Sequence, residues 1–88
     1  MAENRLSIRY FAWVRERVGV AQEDVEVPAE VMSVAGLIAW LSSRDDGYAA
    51  AFAEPAVIRA ALDRDHVEHD APLGGAREVA FFPPMTGG

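Results

Sequence analysis

The sequence predicts an α+β roll: a mixed β-sheet of about five strands, one main helix packed across one face, and an extended C-terminal tail. Three observations carry this. Apolar residues alternate with period two at both ends of the chain, at Leu6, Ile8 and Tyr10 and again at Val79 and Phe81, the pattern of half-buried strands. Between them Val34, Leu37, Ile38 and Leu41 fall at i, i+3, i+4 and i+7, the spacing of one amphipathic helix. The length of 88 residues leaves room for one domain with one thin core, and no composition break suggests a linker. A strand, strand, helix, strand, strand, strand order suits a helix laid on a single sheet.

The first strand is expected over Leu6 to Trp13, with Leu6, Ile8, Tyr10 and Ala12 facing the core. Ser7 and Arg9 mark the other face as solvated, which leaves Phe11 and Trp13 as large aromatics on the exposed side. Val14 to Val18 reads as a short helical turn stopped by Gly19. The second strand runs from Gln22 to Val27, where Val25 and Val27 alternate with acids and Pro28 ends the ladder. These two strands form a hairpin with a long connection.

Ser33 is the expected N-cap of the main helix. Gly36 inside that helix costs up to ~1 kcal/mol relative to alanine, so the helix must draw its stability from packing on the sheet. Ser42 to Gly47 reads as a loop and Tyr48 to Ala53 as one more helical turn before Pro55. A third strand is expected over Val57 to Asp63, with Ile58, Ala60 and Leu62 inward and Arg59 and Asp63 outward. A fourth, His66 to His69, points Val67 inward and His66 and Glu68 outward. Asp70 to Gly75 is turn chemistry, and Arg77 to Phe82 is the last strand. With the helix on one face the other stays bare, and Phe11, Phe82 and His66 are expected on it.

Composition narrows the chemistry. There is no cysteine, and all eight basic residues are arginine. Disulfides, thiolate metal sites, cysteine nucleophiles, Walker-type phosphate loops and Schiff-base lysines are excluded together. A net charge of −6 opposes a nucleic-acid partner, and no basic stripe offsets it. No apolar run approaches the ~18 residues that span a bilayer, and the N-terminus lacks a signal-peptide pattern, so no membrane partner is expected and the chain reads as cytoplasmic. His66 and His69 stand three apart, on opposite faces of a strand, and read as solvated side chains rather than metal ligands. Asp63, Asp65, Glu68 and Asp70 lack the glycine and terminal glutamate of a calcium loop. Trp40 reads as core, and no catalytic acid–base pair is apparent.

The last six residues, Pro83-Pro84-Met85-Thr86-Gly87-Gly88, differ in kind from the domain over residues 1–82. Consecutive prolines favour a stiff extended strut, which at ~3.3 Å per residue projects roughly 20 Å. Gly87 and Gly88 carry no Cβ, so the backbone can enter a slot too narrow for a side chain and present a bare α-carboxylate.

The segment from Glu78 to Gly88, with its Phe81-Phe82-Pro83-Pro84 lead and Gly87-Gly88 end, resembles the C-terminus of the molybdopterin synthase small subunit family, ubiquitin-like sulfur carriers also called molybdopterin-converting factor subunit 1. Tyr10-Phe11-Ala12-Trp13-Val14-Arg15-Glu16-Arg17-Val18-Gly19 is similar to the family's N-terminal pattern, and Leu37, Trp40, Leu41 and the Ala60-Ala61-Leu62-Asp63 run agree more loosely. The likeness spans Leu6 to Gly88. It implies a ubiquitin-like β-grasp fold. It implies that Gly88 is adenylated with ATP by a ubiquitin-activating-like adenylyltransferase, takes sulfur from a donor system to become a thiocarboxylate, and carries that sulfur covalently with no permanent cofactor. The sulfur is then donated to cyclic pyranopterin monophosphate inside the large subunit, making the dithiolene of the molybdenum cofactor. Gly87 gives steric access, Pro83, Pro84, Met85 and Thr86 are the spacer, and Phe11 and Phe82 are the expected anchors on the large subunit. His66 stands where the family has a hydrophobic contact. The resemblance implies a heterotetramer in which the small subunit is no enzyme alone. Open alternatives are a sulfur carrier for thiamine or cysteine synthesis, a ubiquitin-like protein modifier, and an interaction module with an inert tail.

Overall fold

The first strand, β1 (Glu3–Tyr10), ends earlier than the apolar alternation predicts. The computed structural model describes residues 3–84, and in it Ala12 takes a φ of 54°, which takes the chain out of the extended region. Phe11 remains extended and becomes the N-cap of helix α1 (Ala12–Val18), its carbonyl accepting from the N–H of Val14 at 3.1 Å. Trp13, expected as an exposed strand aromatic, therefore rides on α1, half-buried, with the Arg17 guanidinium 4.4 Å from its ring centre. Val14 is the helix's buried residue. Gly19 closes the helix at φ 103°, a conformation that favours glycine, and its N–H reaches the Arg15 carbonyl at 2.8 Å.

Strand β2 (Gln22–Pro28) pairs antiparallel with β1, Leu6 opposite Val25 and Ile8 opposite Glu23. Helix α2 (Val34–Ser42) is capped as expected, the Ser33 hydroxyl accepting from the Gly36 N–H at 3.0 Å, and Val34, Leu37, Ile38 and Leu41 are all buried. The expected loop before Tyr48 is shorter than the sequence suggests. Helix α3 (Asp46–Ala51) starts two residues earlier, because the Asp45 carboxylate accepts from the N–H groups of Gly47 and Tyr48 at 2.9 and 3.1 Å.

The third strand is also shorter than expected. Pro55–Val57 forms a 3-10 turn, so β3 spans only Arg59–Leu62. Asp63 and Arg64 then take positive φ values of 48° and 77° in the tight turn to β4 (Asp65–Val67). The Asp63 carboxylate steadies that turn by accepting from the N–H groups of Arg77 and Glu78, each at 3.0 Å. Strand β4 does not reach His69. Its backbone carbonyl instead accepts from Ala35 at the start of α2, and its ring Nε2 donates to the Ile58 carbonyl at 2.7 Å. His69 is thus a half-buried joint between β3 and α2, not the solvated side chain expected from the sequence.

The last strand, β5 (Glu78–Phe82), lies in the middle of the sheet, whose order is β2-β1-β5-β3-β4. It runs parallel to β1, Ile8 beside Val79, and antiparallel to β3, Ala60 beside Phe81. Leu6, Ile8, Tyr10, Val25, Val27, Ala60, Val79 and Phe81 join the buried residues of all three helices in one core. Phe81 sits at its centre, edge-on to Phe52 with ring centres 5.1 Å apart. A mixed five-stranded sheet with a main helix on one face is the ubiquitin-like β-grasp architecture, here with the two expected helical turns realised as the short helices α1 and α3 beside α2.

Candidate functional site

The pleat of the sheet builds the site. Because side chains alternate across a strand, sending Val79 and Phe81 into the core sends Glu78, Ala80 and Phe82 to the opposite face. Registers then place Ser7 and Arg9 of β1 and Arg59 and Ala61 of β3 on that same outer face, with His66 opposite Ala61 on β4. The expected bare face therefore exists, and it carries Phe82 and His66 together. The His66 ring reaches across β3 and meets Phe82 edge-on, ring centres 5.2 Å apart. It can do so because the residue between them is alanine; Ala61 beneath is left only 6% exposed.

Phe11 belongs to the same corner. Its N–H donates to the Phe81 carbonyl at 3.1 Å, prolonging the β1–β5 ladder by one step and setting Phe11 beside Phe82 in the register. At 44% exposure Phe11 offers a large apolar surface to solvent. Phe82, Pro83 and Pro84 are each half-buried, so the base of the tail leans on the domain instead of leaving it at once as a free strut. Met85, Thr86, Gly87 and Gly88, the spacer end and the reactive tip expected from the sequence, lie outside the described residues. The rest of the outer face is charged and largely matched: Arg5 pairs with Glu26 and Arg9 with Glu78, both at 2.9 Å. Arg59, the direct cross-strand neighbour of Phe82, makes no ion pair among the described residues.

A second polar feature was not anticipated from the sequence. Glu23 shares the inward parity of Val25 and Val27, an acid on the core-facing side of β2. One oxygen, Oε2, accepts from the hydroxyls of Tyr10 at 2.8 Å and Tyr48 at 2.6 Å, with Arg44 at 3.5 Å. Burial, reinforced by the bond to Glu23, raises the Tyr10 hydroxyl well above its usual value, and the same causes push Tyr48 up to about 12. The available signal was the identity of the two tyrosines: a tyrosine on a core face needs a partner for its hydroxyl. Their position on the helix side of the sheet separates this cluster from the outer face and makes it structural.

Among the described residues no group of histidines and carboxylates could hold a metal ion, and no helix is long and apolar enough to cross a membrane. His66 and His69 do not converge. Trp40 is half-buried against the core, with the Arg44 guanidinium 5.5 Å from its ring centre.

A model of the ThiS family matches residues 8–88. Over 83 residues the chain is 39% identical to the molybdopterin synthase sulfur carrier subunit of Escherichia coli K12, covering 94% of this chain and 99% of that protein. Among solved structures it is similar to a putative molybdopterin converting factor subunit 1 from Pyrococcus furiosus, with a TM-score of 0.72 at 28% identity over 92% of this chain and 98% of that one. It is also similar to SAMP1 from Haloferax volcanii, with a TM-score of 0.70 over 97% of this chain and 100% of that one; at 19% identity this likeness speaks to the fold alone.

Proposed function

The chain belongs to the ThiS family, and from that premise we propose that it is the sulfur carrier subunit of a molybdopterin synthase, acting through the α-carboxyl of Gly88. The observation that carries this reading is the 39% identity to a molybdopterin synthase sulfur carrier subunit, sustained over 99% of that relative. The geometry is compatible with the role. Strand β5 is hydrogen-bonded on both sides, so the residue that launches the tail is held in a rigid frame, with Phe11 exposed and Phe82 half-buried on the same outer face.

The chemistry is that of a carrier. An α-carboxylate, ionised at neutral pH with an ordinary pKa of ~3.5, is a poor electrophile. One of its oxygens attacks the α-phosphorus of ATP and pyrophosphate departs, leaving an acyl-adenylate; a sulfur nucleophile then attacks the carbonyl carbon and AMP departs. The thiocarboxylate is delivered into the large subunit, where sulfur passes to cyclic pyranopterin monophosphate in two successive transfers that build the dithiolene. The relative of which 99% is covered is a subunit of molybdopterin synthase, and the catalytic groups for both steps are assigned to the partners. The activating adenylyltransferase, the sulfur donor system and the large subunit supply the catalytic walls, and two small subunits flank a dimer of large ones.

Intact mass spectrometry after incubation with ATP, the activating enzyme and a sulfur source tests the reading. Replacement of one oxygen by sulfur at Gly88 is the expected result. An isopeptide adduct to another protein would replace it with the modifier reading, and an unchanged mass would overturn it. Deleting Gly88 should abolish molybdopterin formation with the large subunit and pterin precursor present.

A further inference from the structure

We propose that Arg59 and His66, which flank Phe82 on the open sheet face, select a docking partner that presents carboxylate side chains around an apolar pocket for Phe82. The inference rests on the carrier reading, in that it takes the partner to be the subunit that receives the tail. It adds the chemistry that this chain demands of that partner's surface.

Arg59 is directly opposite Phe82 on neighbouring strands, and the His66 ring packs on Phe82 from the other side of Ala61. Any partner that buries Phe82 beside the tail must therefore also cover Arg59 and His66. Covering a guanidinium strips its water, which is unfavourable unless a new acceptor replaces it. Among the described residues this chain engages Arg59 with none. Arg5 and Arg9, on the same face, already hold Glu26 and Glu78, whereas Arg59 is exposed and makes no ion pair among the described residues. Glu68 shares with Arg59 and His66 the rim of a cleft of about 420 Å³ where the start of β3 and the end of β4 part, but makes no ion pair with either.

The missing acceptor must then come from the partner. A carboxylate suits the planar fork of arginine, which it can engage through two parallel hydrogen bonds, and it also accepts from an imidazole N–H. With a net charge of −6 the chain as a whole attracts basic surfaces. The Arg59 guanidinium, without an ion pair among the described residues, breaks that uniformity beside Phe82 and gives the encounter an orientation, because a like charge set against it would be repelled.

The test is the dissociation constant for the molybdopterin synthase large subunit from the same organism, measured by titration calorimetry at low salt and at ~0.5 M salt, where screening acts within a few ångströms. Arg59→Glu should weaken binding on the order of tenfold at low salt, with the loss shrinking at high salt, because mutated rim charges change steering and salt dependence. Phe82→Ala should weaken binding by ~30-fold or more at both, as a buried aromatic anchor does. Each variant's melting curve checks that it folds. Unchanged or tighter binding of Arg59→Glu alongside impaired Phe82→Ala would overturn the carboxylate inference while leaving the docking face and the carrier reading standing. Unchanged binding of both variants would overturn the docking face. Failure of the carrier reading itself would appear separately, as an unchanged mass at Gly88.

Discussion

Replacing Glu23 by alanine should be among the most costly single changes on the edge of the sheet, although the residue lies on a terminal strand and its side chain is 21% exposed. Its Oε2 accepts from two tyrosines, one of which, Tyr10, is only 1% exposed and has no other partner for its hydroxyl among the described residues. A hydrogen bond to a charged group contributes ~1.5–3 kcal/mol, and losing it orphans a buried hydroxyl that water cannot reach. The Arg44 contact, at 3.5 Å and partly exposed, adds little. Partial exposure of Glu23 selects the lower end for each tyrosine, so Glu23→Ala should cost about 3 kcal/mol. For a domain of this size each kcal/mol moves the midpoint by ~4–8 °C, so the Tm should fall by roughly 12–24 °C in a circular dichroism melt. Glu23→Gln keeps an oxygen for the tyrosines without its charge and should lose about half as much. In a double-mutant cycle Tyr10→Phe should soften the effect of Glu23→Ala, because the orphaned hydroxyl is then gone. A fall of less than about 4 °C for Glu23→Ala, or strict additivity with Tyr10→Phe, would refute the reasoning.

Alkaline pH probes the same cluster. The Tyr48 hydroxyl ionises near 10 in the unfolded chain and is pushed up to about 12 in the folded one, so the folded state holds that proton more tightly. Its stabilising contribution is complete below pH 10 and is lost as pH rises through 12, and melting points recorded across that window should decline less steeply in Tyr48→Phe. Gly47→Ala should destabilise by ~1–3 kcal/mol, because the added Cβ would lie 2.8 Å from the Arg17 carbonyl and force α3 away from the end of α1. A lower urea midpoint at unchanged slope is the expected signature.

Much of the fold could be read locally. The buried set Leu6, Ile8, Tyr10, Val25, Val27, Val79 and Phe81 follows from period-two alternation, and Val34, Leu37, Ile38 and Leu41 from helical spacing. The errors fell where a competing local device interrupts a pattern. Alternation through Trp13 suggested strand, but the turn at Ala12 and the capping by Phe11 made helix, since a period signal says nothing about where the backbone leaves the extended region. The acid cap at Asp45 started α3 early, and the paired positive φ values at Asp63 and Arg64 cut β3 short. His69 was misjudged because its partner, the Ile58 carbonyl, lies eleven residues away and is freed only where β3 and β4 part.

The site divides along the same line. The tail's glycines and prolines, the absence of thiols and the alternation that places Phe82 on the outer face are properties of the chain itself, because backbone freedom, side-chain chemistry and pleat are local. Which residues stand beside Phe82 is not. That depends on β5 inserting between β1 and β3, pairings that join positions about twenty to seventy apart and that arise only when the helices cover the opposite face. The tertiary structure alone brought Phe11 next to Phe82, drew the His66 ring over Ala61 and left Arg59 without an ion pair among the described residues. The physical reason is that a strand's alternation determines the face a side chain occupies but carries no information about the neighbour across the ladder.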